Sequence, residues 1–240
     1  MHGLTGSART WWRVGPWFAD RGWHALAVDL RGHGASPKMR GDEGLGDLAA
    51  DVRETVTDLL GPGARVDVLL GHSLGALTAM KLSEDHPSLA RRLVLEDPPS
   101  GGNDPDETAR EVERGASRAH ADPQALAREL LSENPSWAKE DATNGVAGLR
   151  DCDGGALARF RREGLRWDLA ALANSIVVPA LLLLGDEGLG SALPAGERAA
   201  VASALREGSV EQLETGHNVH RDDFAGYVRL LGDWLGSPGA

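Results

Sequence analysis

Ser73 stands between Gly71-His72 and Leu74-Gly75, where the β-branched run "VDVLL" gives way to the helix-forming "ALTAM". A serine hydroxyl is a weak nucleophile at neutral pH and becomes useful only beside a base. Setting it at a tight strand-to-helix turn lifts Oγ above the sheet. The same turn aims the N–H of the next residue, Leu74, at negative charge developing near the hydroxyl. Such a turn needs small neighbours on both sides, which Gly71 and Gly75 supply. The pattern G-x-S-x-G also fits a helix-capping serine in an ordinary turn. A base, an acid and a second oxyanion donor elsewhere in the chain would separate the two readings.

Two further segments bear on that choice. "HGLTGS" occupies residues 2–7, and "DLRGHGAS", residues 29–36, follows a strand-like run. With G-x-S-x-G and the late Gly216-His217 pair, the chain carries HGxxG, D-x-R-G-x-G-x-S, G-x-S-x-G and G-H in that order. In this it resembles the α/β-hydrolases over essentially its whole length apart from residues 98–170. The resemblance implies a second oxyanion N–H from Leu4. It also implies a base on the loop after the last strand, where "VEQLETGHNVH" offers His217. His220 is a competitor, but it falls where the last helix begins. His24 lies in a strand pattern, His86 ends a helix, and His33 belongs to the "RGHGAS" loop.

The acid that would orient His217 is less plainly written. Most such proteins carry it after the penultimate strand, in G-x-x-D, but here "LLLLGDEGLG" puts Gly188 at that position. Asp186 and Glu187 are displaced from it by two residues and one. A minority place the acid after the preceding strand, where "RLVLEDPP" offers Asp97 with Glu96 beside it. Asp97 follows Ser73 by 24 residues, the span of one helix plus one strand. Asp97 is the favoured acid and Asp186 the alternative, with Glu96 and Glu187 behind them. A turn-forming role before Pro98-Pro99 also accounts for Asp97.

The elements that must position these groups alternate between short apolar runs and helical patterns, which reads as βαβ units. Strands are expected at His24–Leu30, Val66–Leu70, Arg92–Leu95, Ala180–Leu184 and Val210–Leu213, their near-continuous hydrophobicity matching strands covered on both faces. Helices are expected over Gly44–Leu60, from Ser73 to His86-Pro87, and over Asp222–Leu235. The fold class is therefore α/β, a mostly parallel doubly wound sheet. Residues 1–97 and 171–240 form the core of this reading. Residues 98–170, rich in charge and without a convincing strand, form a helical lid with segments near 106–120, 123–133 and 154–165. Trp137 and Trp167 in that lid are candidates for substrate contact, whereas Trp11, Trp12 and Trp17 read as core and pocket wall.

Composition narrows the partners. Net charge is −11, so phosphate backbones and anionic lipid surfaces are poor partners. Cys152 is the single cysteine, which precludes an intrachain disulfide and points to a reducing, cytoplasmic setting. No His/Asp/Glu cluster has metal-ligand spacing, "LGPGAR" lacks the lysine of a phosphate loop, and no apolar run reaches the ~20 residues of a membrane span. In the resembling family HG follows a central strand with two more before it, and none precedes Met1 here. The expectation is a natural chain with about 20–30 further N-terminal residues, the other option being a degenerate fragment. The resulting expectation is a serine hydrolase that cleaves a small, largely apolar ester or lactone through an acyl-enzyme and needs no cofactor or metal. The same residues could serve a thioesterase, a carbon–carbon bond hydrolase, or a non-catalytic small-ligand receptor on that scaffold.

Overall fold

A computed structural model describes residues 1–40 and 42–236. Among them four short apolar runs form one sheet, β1 (Leu69–His72), β2 (Leu93–Glu96), β3 (Ala180–Leu184) and β4 (Gly208–Gln212), in that order and all parallel. Leu69 faces Leu93, Leu93 faces Ala180, and Ala180 faces Gly208. Parallel neighbours need crossover connections, and helices supply them. α1 (Val14–Ala19) and α2 (Leu45–Leu60) precede β1, and α3 (Leu74–Asp85) joins β1 to β2. Between β2 and β3 come α4 (Pro105–Ala121), α5 (Pro123–Glu133), α6 (Lys139–Asp151), α7 (Gly154–Arg159) and α8 (Leu169–Ser175). α9 (Ala195–Ala204) joins β3 to β4, and α10 (Val219–Asp222) and α11 (Phe224–Leu235) follow.

Alternate residues of the central strands enter opposite faces. Leu93, Leu95, Ala180, Leu182 and Leu184 join one core with residues of α2, α3 and α8. Val94, Leu181 and Leu183 join a second with Trp11, Val14 and Phe18 and with Tyr227, Leu231 and Leu235 of α11. The sheet is thus wound on both sides. β4 differs, being an edge strand that is exposed along most of its length and ends in Glu211 and Gln212. Polar residues on an edge discourage pairing with another chain.

Aspartate side chains cap five of the helix starts among the described residues. Asp104 and Asp122 accept backbone N–H bonds at the starts of α4 and α5, each followed by a proline at the first helical position. Asp153, Asp168 and Asp223 cap α7, α8 and α11 likewise. α6 has no such signal, for Ala138 stands at its N-cap and Gly145 and Gly148 lie inside it. Glycine costs a helix about 1 kcal/mol relative to alanine, but a Cβ on Gly148 would come within 2.7 Å of the Thr5 carbonyl. The helix tolerates that glycine because it packs against the backbone of the 3–6 turn.

Three expectations need correction. The run His24–Leu30 is not a strand, although it is extended, and Leu26 is 46% exposed. The edge of β1 that would receive it is taken by Met1, whose nitrogen donates to the Leu70 carbonyl and whose carbonyl accepts from His72 N–H. Residues 24–28 therefore lie beyond that contact with no adjacent strand among the described residues. The strand expected at Val66–Leu70 runs from Leu69 to His72, with Val66 making an isolated bridge to Ala90. The single helix expected over Asp222–Leu235 is broken at Asp223, whose φ of −138° leaves the helical region. Among the described residues, no helix is long and apolar enough to cross a membrane.

Candidate active site

β1 ends at His72 and α3 begins at Leu74, leaving Ser73 at the corner with φ 53° and ψ −117°. For a residue with a Cβ this conformation costs on the order of 1–3 kcal/mol, so the surroundings must impose it. Ser73 N–H donates to the Glu96 carbonyl at 2.9 Å, and its own carbonyl accepts from Ala76 and Leu77. A Cβ on Gly71 would overlap the Gly75 carbonyl, and one on Gly75 would overlap the Met1 carbonyl. Both glycines are thus required by close backbone approach.

His217 precedes α10 and reaches across to this corner. Its Nε2 lies 3.0 Å from Ser73 Oγ, and its Nδ1 lies 2.7 Å from Asp97 Oδ2. Donation from Nδ1 to the carboxylate leaves Nε2 free to accept the serine hydroxyl. Asp97 follows β2, is fully buried, and has a φ of 40°. It also accepts Gly185 N–H at 3.2 Å, Ser191 Oγ–H at 2.6 Å and Ala192 N–H at 2.8 Å. With both oxygens accepting two bonds each, the carboxylate is held in a fixed orientation.

The other candidate carboxylates lie elsewhere. Asp186 accepts Gly188 N–H at 2.7 Å and Gln212 Nε2 at 3.2 Å, and it does not meet His217. Glu187 accepts Ala195 N–H. Glu96 turns to the opposite side of the sheet end, accepting His220 N–H at 3.0 Å and meeting His220 Nδ1 at 2.6 Å. His220 is therefore committed to Glu96 rather than to Ser73. Burial holds the His220 and His72 imidazoles well below the usual histidine range and raises the Glu96 carboxyl. His72 lies 2.8 Å through Nε2 from the His217 carbonyl and so braces the loop that carries His217.

The Gly3–Gly6 turn packs against Ser73. A Cβ on Gly3 would fall 3.2 Å from Ser73 Cβ and 3.1 Å from His72 Nδ1, so only glycine allows this approach without displacing a neighbour. His33 Nε2 meets the Leu4 carbonyl at 2.7 Å, and His2 Nε2 accepts Leu30 N–H at 3.0 Å. The carbonyl of Leu4 is thus turned towards His33. Leu74, as the first residue of α3, contributes one of the unpaired N–H donors of a helix N-terminus. Leu4 and Leu74 both line the same cavity as Ser73 and His217, a space of about 600 Å³.

Trp137 and Trp167 also line that cavity. Trp137 Nε1–H donates to Asp222 Oδ1 at 2.6 Å, while Asp222 Oδ2 accepts Gly216 N–H, tying the tryptophan to the His217 loop. Trp167 Nε1–H donates to the Pro99 carbonyl at 2.9 Å. Trp11 packs in the second core, 4.9 Å from the His220 ring, and with Trp12 and Trp17 it lies away from the cavity wall. Sequence reasoning missed Ser191, which supports Asp97, and two arginines of the cavity wall, Arg161 and Arg221. Only Arg221 had a local signal, standing four residues after His217. Among the described residues no group of three or more His, Cys, Asp or Glu side chains is arranged to hold a metal ion.

A family model described as alpha/beta hydrolase fold matches residues 1–140. The chain is 27% identical over 248 residues to the 2-succinyl-6-hydroxy-2,4-cyclohexadiene-1-carboxylate synthase of Pectobacterium atrosepticum, covering 99% of this chain and 93% of that protein. It is 29% identical over 197 residues to the 2-(acetamidomethylene)succinate hydrolase of Mesorhizobium japonicum, covering 78% and 69%. Among solved structures, the enol-lactonase from Burkholderia xenovorans LB400 superimposes with a TM-score of 0.76 at 20% identity, covering 98% of this chain and 88% of that one.

Proposed function

The chain belongs to the α/β-hydrolase fold family, and from that premise we propose that it is a serine hydrolase acting on a small ester or lactone through an acyl-enzyme. Ser73 Oγ attacks the carbonyl carbon as its proton passes to His217 Nε2, and Asp97 stabilises the imidazolium through Nδ1–H. The Leu4 and Leu74 N–H groups receive the tetrahedral oxyanion, each such donor being worth about 3–4 kcal/mol in the transition state. Collapse breaks the bond to the leaving oxygen, which takes the proton from His217. Water, deprotonated by the same base, then frees the acid and restores Ser73. Residues 98–170 act as a lid over the cavity in this reading, with Trp137 and Trp167 against the substrate.

The observation that carries the reading is His217 within hydrogen-bond reach of both Ser73 and Asp97, at 3.0 Å and 2.7 Å. The relatives include proteins named as a hydrolase of an acidic amide-like compound and as a lactonase, which fits acyl chemistry at a serine. A fluorophosphonate probe tests it. Wild-type protein should be labelled and folded Ser73→Ala should not. Silence from folded wild type would leave the ligand-receptor reading in its place.

A further inference from the structure

The cavity beside Ser73 carries an excess of cationic side chains, Arg114, Arg118, Arg161 and Arg221 set against Glu111 on its walls. Arg161, in the π-helical turn Phe160–Gly164 after α7, is 4% exposed, and Arg221, in α10, is 9% exposed. Both line the cavity with Ser73 and His217. Arg161 Nη2–H donates to the Asn103 carbonyl at 2.7 Å, and its guanidinium lies over Trp167, 5.2 Å from the ring centre. Arg221 Nη2–H donates to Thr10 Oγ1 at 3.3 Å, its guanidinium lies 5.0 Å from the Trp137 ring centre, and its Nε is buried without a hydrogen-bond partner.

Among the described residues, neither arginine has a carboxylate oxygen within 4.0 Å. Their neighbours do: Arg162 pairs with Asp106 and Glu113, and Arg13 pairs with Asp141 at 2.6 Å. The acids that act on Arg221 from further off are Asp141, Glu96 and Asp222. Asp141 is taken by Trp12, Arg13 and Ala138 N–H, Asp222 by Trp137 and Gly216, and Glu96 meets His220 through Oε1 alone. Asp104, the acid nearest in effect to Arg161, caps α4. A guanidinium keeps its charge at any physiological pH and offers five donors in a flat fork, so two buried forks with no carboxylate in contact leave room for a ligand to supply one. Each fork lies against an indole ring, and beyond the Nη2–H given to Asn103 or Thr10 it keeps further donors for an anion.

We propose that the compound hydrolysed at Ser73 carries a carboxylate, and that Arg161 and Arg221 bind it within the same cavity as the scissile carbonyl. This rests on the serine-hydrolase reading for the word hydrolysed, but the anion site stands on its own geometry. It adds a charged group to the small, largely apolar substrate expected from the sequence. Arg161 and Arg221 belong to different elements, one in the 98–170 segment and one beside His217.

Ser73→Ala protein, unable to turn over, is titrated by calorimetry with succinate and with dimethyl succinate as the uncharged analogue. Succinate should bind about 10- to 100-fold more tightly, the range for hydrogen bonds to a charged group. Arg161→Gln and Arg221→Gln in that background should each erase most of the preference, and Arg161→Lys should retain part of it. If either glutamine variant fails to fold, the preference of Ser73→Ala itself decides the matter. Wild-type turnover of 4-nitrophenyl succinate against its methyl ester should show the same ratio, carried mainly in KM. Equal binding of the two analogues, or a preference that survives both folded glutamine variants, overturns the anion site. Hydrolysis of both esters at equal rates overturns it while leaving the hydrolase reading intact. Arginine-dependent succinate binding without turnover of either ester upholds the anion site and removes the hydrolase reading.

Discussion

Replacing Asp97 by asparagine separates its role from its shape. Asparagine tolerates the left-handed φ of 40° better than most residues, so the backbone need not move. The four bonds to the carboxylate are divided evenly, Gly185 N–H and Ser191 Oγ–H at Oδ1 and Ala192 N–H and His217 Nδ1 at Oδ2. An amide has one accepting oxygen, so one side must meet an NH2. If that side is Oδ2, His217 is driven to the tautomer with hydrogen on Nε2 and can no longer accept the Ser73 proton. If it is Oδ1, the Gly185 N–H is orphaned, at a cost of about 1–3 kcal/mol, and the anion that stabilises the imidazolium is still lost. The first arrangement lowers kcat by about 10⁴, near 5.4 kcal/mol at 1.36 kcal/mol per decade. Asp186→Asn, which touches only Gly188 N–H and Gln212, should stay within about threefold of wild type, in line with a surface change. Steady-state hydrolysis of 4-nitrophenyl acetate, with active sites counted by probe labelling, measures both. A folded Asp97→Asn within tenfold of wild type, or a larger loss in Asp186→Asn, would refute the assignment.

Gly75→Ala should shift the nucleophile turn, because a Cβ there overlaps the Met1 carbonyl and lies 2.8 Å from the His2 carbonyl. A loss of about 1–3 kcal/mol in urea unfolding, with slower probe labelling of Ser73, is expected. His33→Ala removes the bond to the Leu4 carbonyl and should lower kcat about tenfold with little change in KM, since His33 supports the turn from behind. Acid should weaken the fold from near pH 6.5 downward. Burial lowers the pKa of His2, His33, His72 and His220, so below the unfolded value the unfolded chain binds protons that the native state refuses. Each contributes up to about 1.4 kcal/mol per pH unit. Glu96 and Asp222, both raised by burial, oppose them by up to two protons, their stabilisation being present below the unfolded carboxyl value and lost as pH rises through the folded one. Urea midpoints at pH 7.5 and 5.5 measure the balance, and an unchanged or higher midpoint at pH 5.5 would contradict it.

Local chemistry wrote much of this molecule into the chain. Gly71 answers a backbone collision with a residue only four away, and the aspartates that start α4, α5 and α7 satisfy donors two or three residues on. Such signals are short-range and therefore readable in order. What three dimensions decided is which distant groups meet. Asp97 rather than Asp186 reaches His217 because β2 delivers its C-terminal end beneath the loop carrying His217, 120 residues further on. α6 accommodates Gly148 because it packs on the backbone near Thr5, and at His24–Leu30 no strand forms, the Leu30 N–H going to His2 Nε2 instead. Arg161 and Arg221 were unremarkable members of a charged sequence. Only packing takes them out of water, assigns the nearby carboxylates to other partners, and leaves two guanidinium charges facing the serine's cavity, because burial and the distribution of counter-charge are properties of the folded whole.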